Sequence, residues 1–355
     1  MKVDIYKFPQ NSPDDLTALR SAIASGEIKP QQIVAIMGKT EGNGCVNDFT
    51  RGFAVQTLKT YLGELVGKDQ ANSIVYVMSG GTEGALSPHM TVFTLQPSLL
   101  DAPSRMSLAL GVIHTRDFTP AEVGSLTMVS EVATAVNQAI AKAGIAKSDV
   151  HFVQIKCPLI TSHDRQRIDD QSSQLPSKFI SSYQSMAYSR GASALGVAVA
   201  LEEIRLENIQ PEDICQNYDL YSTVASTSAG VELSNCEILV LGNSPQATSN
   251  FVIGHSVMNH ALDVQSILQA IANTGQSSDR VVNIFAKAEA DPSGQLLGRR
   301  HTMMDDSDIN HTRMARAVVG AVVASVVQDP MVYVSGGSEH QGPSGGGPVA
   351  AIARL

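Results

Sequence analysis

The sequence predicts a mixed α/β protein that contains three similar repeat units. The chain has 355 residues, of which 43% are hydrophobic, so it is long enough for two or three domains with buried cores. Apolar runs typical of buried strands alternate with stretches that have the spacing of amphipathic helices. One order of elements, strand, helix and strand, occurs three times along the chain. We therefore interpret the protein as three mixed α+β units of roughly a hundred residues each, a usual domain size.

The first unit shows this order most clearly. Residues 33–40 read IVAIMGKT, an apolar strand that ends in a lysine, and residues 73–81 read SIVYVMSGG, an apolar strand that leads into a serine. Between them, residues 50–62 place Val55 and Leu58 on one helical face. The segment is therefore predicted to be a helix that packs on the two strands.

The other two units repeat the same order of elements. The second unit has its strand, helix and strand at residues 150–157, 189–204 and 221–230, and the third has them at residues 281–290, 315–327 and 331–339. A further apolar run follows each serine, at residues 90–96, 237–244 and 347–355. The predicted units span residues 1–103, 111–247 and 253–355.

Three residue types recur at the same ends of these elements. The lysines are Lys39, Lys156 and Lys287, the arginines that open the helices are Arg51, Arg190 and Arg316, and the serines are Ser79, Ser226 and Ser335. Arg313 is an alternative third arginine, but counting from it gives a less apolar helical face than counting from Arg316. The order of elements alone recurs by chance in many α/β proteins, whereas the recurrence of all three residue types argues against chance.

Composition and charge exclude several classes of partner. The net charge is −9 and no large basic cluster is present, so nucleic acid is not an expected partner. The longest apolar run, residues 317–327, is too short to span a membrane, and the N-terminus has no apolar export signal. The four cysteines have no CxxC spacing or disulfide-scaffold density, which favours a cytoplasmic protein.

Lysine, arginine and serine together suit nucleophilic catalysis. A serine hydroxyl needs a base, and the histidines do not recur beside these serines, so a lysine with a lowered pKa is the candidate base. Burial and neighbouring positive charge lower the pKa of a lysine. Arginine forks suit the carbonyl groups of a flat substrate. The backbone N–H groups that follow the serines, at Gly80, Thr227 and Gly336, are candidate oxyanion donors.

Two other motifs suggest ligands. GKT at residues 38–40 resembles the end of a P-loop, but a strand precedes it in place of the glycine-rich cradle, so nucleotide binding is rejected. Glu289 and the loop SEHQGPSGGGP at residues 338–348 offer one carboxylate and several backbone carbonyls. Oxygen ligands of this kind suit Mg²⁺ or Ca²⁺, and an ordinary glycine-rich turn is the alternative interpretation.

At these residues the sequence resembles the cyanuric acid hydrolase/barbiturase family of ring-opening cyclic amidohydrolases. The blocks MSGGTEGALSPH, STVASTSAGVE, AKAEA and SGGSEHQGPSGGGP carry the resemblance, which covers essentially the whole chain. It implies three repeat units around a pseudo-threefold axis, a β-barrel-like core with helices outside, and one central active site. It also implies a homotetramer and no catalytic cofactor.

The resemblance assigns roles to individual residues. Lys156 and Ser226 become the catalytic pair that opens cyanuric acid to 1-carboxybiuret, which decarboxylates to biuret. The implied substrate-binding residues are Lys39, Lys287, Arg51, Arg190, Arg316, Ser79, Gly80, Thr227, Ser335 and Gly336. The implied structural Mg²⁺ or Ca²⁺ site is formed by Glu289, Ser338, Gln341, Gly342, Pro343 and Gly346.

Three alternatives remain open from the sequence. The first is a barbiturase that opens barbituric acid to ureidomalonate, because no residue visible in the sequence separates the two rings. The second is a non-catalytic scaffold that binds a small ring, and the third is a Ser–Lys amidase for linear amides. The last two leave the threefold recurrence of lysine, arginine and serine without a purpose.

Overall fold

The computed structural model of the protein describes residues 1–97, 105–164 and 181–355. The predicted boundary at residue 103 lies outside these residues. The strands are β1 (Lys2–Pro9), β2 (Ile33–Thr40), β3 (Val75–Gly80), β4 (His89–Gln96), β5 (Ser107–His114), β6 (Val150–Pro158), β7 (Ala225–Gly230), β8 (Glu237–Ser244), β9 (Phe251–Met258), β10 (Val281–Ala288), β11 (Gln295–Leu296), β12 (Arg299–Arg300), β13 (Tyr333–Gly336) and β14 (Gly347–Arg354). The helices are α1 (Thr17–Ala24), α2 (Phe49–Val66), α3 (Lys68–Ser73), α4 (Leu126–Ala143), α5 (Ser182–Ala200), α6 (Val264–Ala272) and α7 (His311–Val327).

Three four-stranded sheets share one strand order. The first sheet has the order β1-β4-β2-β3, the second β5-β8-β6-β7 and the third β9-β14-β10-β13. In each sheet the two central strands are antiparallel. The central strand that ends near Lys39, Lys156 or Lys287 pairs in parallel with the strand that carries the serine of the same unit. A parallel pair needs a crossover, which α2, α5 and α7 provide.

Each sheet packs its two faces against different partners. One face contacts helices of the same segment, as α2 does over the first sheet and α7 over the third. The other faces meet in one apolar cluster to which all three sheets contribute. Phe285 lies at its centre, with ring centroids 5.2 Å from Phe152 of the second sheet and 6.4 Å from Phe93 of the first. This shared cluster holds the three serine-bearing strands close to one another.

The structure confirms a mixed α/β fold. The expected β-barrel-like core is not confirmed, because the described strands do not form a closed barrel. Among the described residues, no strand pairing joins one four-stranded sheet to another. The three sheets are therefore held together by apolar packing and side-chain contacts, and a continuous hydrogen-bonded barrel is absent from this part of the chain.

Local sequence explains where the crossover helices begin. Asp48 caps α2 by accepting a hydrogen bond from the Thr50 amide, and Ser181 and Asn310 cap α5 and α7 in the same way. Arg51 lies in the first turn of α2, as predicted. Arg190 does not open its helix, because α5 begins at Ser182, about two turns earlier.

Each unit begins with a strand and a helix that were not predicted from the sequence. The missed strands are β1, β5 and β9, and the missed helices are α1, α4 and α6. All three are edge strands of their sheets. β1 is mostly half-buried, which weakens its apolar pattern, whereas β5 and β9 are mostly buried. No helix in the described residues is long and apolar enough to cross a membrane.

Candidate active site

Three lysine side chains are fully buried at the ends of β2, β6 and β10. Lys39, Lys156 and Lys287 are all 0% exposed. An isolated buried ammonium group is costly, so its hydrogen bonds must be satisfied inside the protein. The sequence predicted these three positions, and the structure brings them together with the serine strands.

Each lysine donates a hydrogen bond to a neighbouring sheet. Lys39 Nζ lies 2.7 Å from the Val334 carbonyl oxygen of the third sheet. Lys156 Nζ lies 2.9 Å from the Met78 carbonyl of the first sheet, and Lys287 Nζ lies 2.7 Å from the Thr227 carbonyl of the second. The contacts form a closed cycle that links all three sheets.

This cycle identifies which serine belongs to each set. Met78 and Val334 each immediately precede a serine of the cycle, Ser79 and Ser335. Thr227 is the third carbonyl of the cycle, so the residue after it, Ser228, is the equivalent of those two serines. The strand register agrees, because Lys39 pairs with Ser79, Lys287 with Ser335 and Lys156 with Ser228.

The predicted pairing of Lys156 with Ser226 is therefore wrong. Ser226 occupies the position of Tyr333 in the third sheet, two residues before the serine, and its side chain is fully buried. The residue after the serine is accordingly Ala229, and not Thr227 as predicted. The segment contains several serines, and Ser228 is the one that corresponds to the serine of SGG in the other two units.

The second set differs from the other two in its hydrogen bonds. Lys39 Nζ lies 3.1 Å from Ser79 Oγ, and Lys287 Nζ lies 3.1 Å from Ser335 Oγ. Ser228 Oγ has no hydrogen-bond partner among the described residues. Lys156 Nζ lies instead 3.1 Å from Glu232 Oε1, an ion-pair contact that lacks the geometry of a hydrogen bond.

A small cavity lies where the three sets meet. Its lining includes the three serines, the residues that follow them and the three predicted arginines: Ser79, Gly80, Ser228, Ala229, Ser335, Gly336, Arg51, Arg190 and Arg316. Its volume is about 20 Å³, which is about the space of one water molecule. A ligand larger than water therefore requires this cavity to widen.

The arginines are held by carboxylates that the sequence analysis did not identify. Arg316 donates two hydrogen bonds to Glu83, at 2.9 and 2.6 Å, and Arg190 donates two to Glu339, at 2.8 and 2.6 Å. Arg313 also contacts Glu83 but its side chain is 39% exposed, against 4% for Arg316. The preference for Arg316 as the third arginine therefore matches the structure.

Arg51 is held differently. Its Nη1 donates to the Ala229 carbonyl oxygen at 2.8 Å, and its Nε lies 3.6 Å from Asp48 Oδ2. Each arginine thus contacts a serine-bearing strand or the loop that follows it, and all three line the cavity together with the serines.

Burial lowers the pKa of all three lysines. Burial and the nearby Arg316 charge hold the pKa of Lys39 well below its usual value. Burial and Arg190 lower the pKa of Lys287 to about 7. Burial also lowers the pKa of Lys156, while Glu232 acts in the opposite direction. In all three positions burial therefore favours the neutral amine, the form that can accept a proton from a hydroxyl group.

The predicted cation residues lie in and around the loop after β13. Glu289, Ser338, Gly342 and Pro343 line a shared cavity of about 160 Å³. Glu289 Oε2 accepts from the Ser338 amide at 3.1 Å, whereas the Gln341 side chain turns away to accept from the Thr227 amide at 2.7 Å. Gly346 donates its amide to the Pro343 carbonyl at 2.9 Å and is outside that lining.

These groups fit a hard cation only through oxygen atoms. Within residues 1–97, 105–164 and 181–355, no group of three or more His, Cys, Asp or Glu side chains is placed to hold a metal. One carboxylate and the carbonyls of a glycine-rich loop are a donor set that suits Mg²⁺ or Ca²⁺.

A larger cavity of about 570 Å³ lies on the far side of Glu232. Its lining is mostly apolar or polar uncharged, with Phe118, Leu159 and Ser234 among its residues. It contains none of the three serines, lysines or arginines. Size alone therefore does not mark the candidate active site, which is identified by its convergent reactive groups.

Comparisons with known proteins show which family the chain belongs to. Residues 4–354 match the family model described as amidohydrolase ring-opening protein. The chain is 49% identical to a cyanuric acid amidohydrolase of Enterobacter cloacae over all of both chains, and 50% identical to one of Bradyrhizobium diazoefficiens over 99% of this chain and 98% of that one.

Solved structures give the same result. A structure of cyanuric acid hydrolase superimposes with a TM-score of 0.95 at 48% identity, covering 100% of this chain and 99% of the other. The cyanuric acid hydrolase of A. caulinodans superimposes with a TM-score of 0.94 at 45% identity, covering 99% of both chains. The chain belongs to the family of ring-opening amidohydrolases.

Proposed function

We propose that the protein is a cyanuric acid amidohydrolase, which hydrolyses one ring C–N bond of cyanuric acid. The observation that carries this proposal is the convergence of three serines and three arginines on one cavity, with each serine in register with a buried lysine of the neighbouring strand. Cyanuric acid is a planar ring with three equivalent carbonyl groups, so its symmetry matches three equivalent sets of donors. The names of the similar enzymes from Enterobacter cloacae and Bradyrhizobium diazoefficiens support the same substrate.

We further propose that the three units lie around a pseudo-threefold axis through this cavity. The identical strand orders and the cyclic lysine contacts support this arrangement. Under this proposal, the unit boundaries are those predicted at residues 1–103, 111–247 and 253–355. One substrate molecule on the axis would contact all three units.

The reaction uses Ser228 as nucleophile and Lys156 as base. Neutral Lys156 takes the hydroxyl proton of Ser228 as the Oγ atom bonds to a ring carbonyl carbon, and the backbone N–H groups near the cavity stabilise the resulting oxyanion. The ring C–N bond then breaks, and the Lys156 ammonium gives its proton to the departing ring nitrogen. The product of this step is an ester of Ser228.

Water completes the reaction. A water molecule transfers a proton to Lys156 and attacks the ester carbonyl, after which Ser228 leaves and recovers its proton from Lys156. This releases 1-carboxybiuret, which loses CO₂ to give biuret. Ser79, Ser335, Lys39 and Lys287 bind the two carbonyls that do not react, and the arginines hold the ring in place.

We also infer three properties of the working enzyme. A divalent cation held by Glu289 and the carbonyls of the following loop would fix the turn that carries Ser338 and Glu339; no step of the reaction passes through it. The enzyme would act in the cytoplasm, consistent with the four free cysteines. It would assemble as a homotetramer, which light scattering would measure directly.

Product analysis tests the proposed function. Purified protein is incubated separately with cyanuric acid and barbituric acid, and the products are identified by mass spectrometry. We expect biuret and CO₂ from cyanuric acid, and binding without comparable turnover of barbituric acid. Formation of ureidomalonate at the higher kcat/KM would make the protein a barbiturase, and no product from either ring would refute both assignments.

A further inference from the structure

A glutamate lies four residues after each serine of the cavity. The three glutamates are Glu83, Glu232 and Glu339. Two of them make bidentate contacts to arginine, as Glu83 does with Arg316 and Glu339 does with Arg190. Glu232 instead reaches a lysine, because its Oε1 lies 3.1 Å from Lys156 Nζ.

The neighbourhood of Arg51 explains this difference. By analogy with the other two glutamates, Glu232 would pair with Arg51. Arg51 already has a carboxylate nearby, since Asp48 Oδ2 lies 3.6 Å from its Nε, and it donates to the Ala229 carbonyl. The residues three positions before the other two arginines are Ala187 and Arg313, which offer no such carboxylate. Asp48 thus leaves Glu232 available to Lys156.

Among the described residues, Lys156 is the one lysine of the three that has a carboxylate partner. In the part of the chain that the structure describes, neither Lys39 nor Lys287 forms an ion pair; they donate to serine hydroxyls and backbone carbonyls. The Lys156 ammonium would therefore be stabilised by a full negative charge, whereas the other two would be stabilised only by dipoles.

We propose that Glu232 is a positioning residue for Lys156, and that Ser228, Lys156 and Glu232 act as a relay in which the carboxylate stabilises the ammonium that forms during attack. This inference rests on the proposed function. Glu232 remains ionised throughout, while the proton moves from Ser228 Oγ to Lys156 Nζ and then to the departing ring nitrogen. The arrangement distinguishes the second set as the reactive one, as the third residue of a catalytic triad does.

Charge and position support this role. Although burial raises the pKa of the Glu232 carboxyl, the Lys156 ammonium and the Arg51 guanidinium hold it below its usual value, so the carboxylate and the ammonium stabilise each other. Glu232 also lines the 570 Å³ cavity, whereas Lys156 is fully buried. Glu232 therefore contacts the buried base and also forms part of the wall of this larger cavity.

The substitution Glu232→Gln tests the relay, because glutamine keeps the shape and removes the charge. We expect kcat for cyanuric acid to fall by about 10²–10⁴-fold, the usual loss when general acid–base catalysis is impaired, with KM changed less than about threefold. We expect the acidic limb of the kcat/KM pH profile to move to lower pH by about one unit or more, since the removed negative charge had raised the pKa of Lys156.

Glu83→Gln and Glu339→Gln are the matched controls. They remove the same charge from the equivalent positions, where an arginine is the partner. We expect both to raise KM more than they lower kcat and to leave the acidic limb in place. A merely structural role for Glu232 predicts that all three variants behave alike.

The outcomes separate this inference from the proposed function. If wild-type protein opens the ring and Ser228→Ala does not, but Glu232→Gln retains the wild-type kcat and pH profile, the relay is wrong and the proposed function stands. If wild-type protein has no activity on the ring, the proposed function itself fails. Should Glu232→Gln not fold, Glu232→Asp withdraws the carboxylate by one methylene; a fall in kcat supports the relay, and an unchanged kcat contradicts it.

Discussion

The two serines Ser226 and Ser228 give the sharpest test of how the cavity is built. They lie two residues apart on β7, and both hydroxyls are without a hydrogen-bond partner among the described residues. Only Ser228 lies opposite Lys156 and lines the cavity. Substituting each by alanine removes the same atom, so the two variants differ only in position.

The expected effects differ by orders of magnitude. Ser228→Ala removes the nucleophile, so we expect kcat to fall by at least about 10⁴-fold, equivalent to about 5.5 kcal/mol of transition-state stabilisation. Ser226→Ala removes a buried hydroxyl that has no partner, and the desolvation cost of such a group is about 1–3 kcal/mol. We therefore expect Ser226→Ala to raise the free energy of unfolding by about 1 kcal/mol and to leave kcat within about threefold of wild type.

Steady-state turnover of cyanuric acid measures the first effect, and urea or thermal unfolding measures the second. Both variants must show the wild-type circular dichroism spectrum for the comparison to hold. Loss of turnover in Ser226→Ala together with normal turnover in Ser228→Ala would refute the assignment of Ser228 and restore the pairing predicted from the sequence.

Three further predictions follow from the cavity and the loop beside it. Arg316→Lys should raise KM about tenfold or more, because lysine lacks the planar fork that lines the cavity. Arg313→Lys should change KM less than about twofold, because its side chain is more exposed. Steady-state kinetics of the two variants measure this difference, and equal KM values would contradict it. The folded pKa of Lys287 is about 7, against 10.5 when unfolded, so only the unfolded chain binds this proton between those values. The free energy of unfolding of wild type relative to Lys287→Met should thus rise with pH, by up to about 4 kcal/mol between pH 7 and pH 10 in urea titrations, and a difference that falls or stays flat would count against a buried neutral lysine. Chelation by EDTA should lower the Tm of wild type but not of Glu289→Gln, and an equal response of both proteins would argue against a cation at Glu289.

The sequence was sufficient to locate the lysines and most of the cavity. Lys39, Lys156 and Lys287 each follow an apolar run, and a charge at the end of a buried strand is rare enough to be informative when it occurs three times. The central strands and the crossover helices could be predicted from the spacing of their apolar residues. Ser79 and Ser335 were placed correctly because each begins the unusual run Ser-Gly-Gly.

The errors have physical explanations. Residues 222–228 contain three serines, and strand register, which depends on three-dimensional pairing, decides which of them faces Lys156. The glutamates were missed because their charges are neutralised only by residues that are far away in the chain. Their constant spacing of four residues after the serine was visible, and it would have identified Ser228 as the equivalent of Ser79 and Ser335.

The position of the covalent intermediate tests the central claim most directly. The enzyme is mixed with cyanuric acid, quenched in acid during turnover, digested and mapped by mass spectrometry. Because ring opening adds the whole substrate to the serine, we predict a peptide that is heavier by one molecule of cyanuric acid, with the adduct on Ser228. An adduct on Ser79, Ser335 or Ser226 would contradict the account.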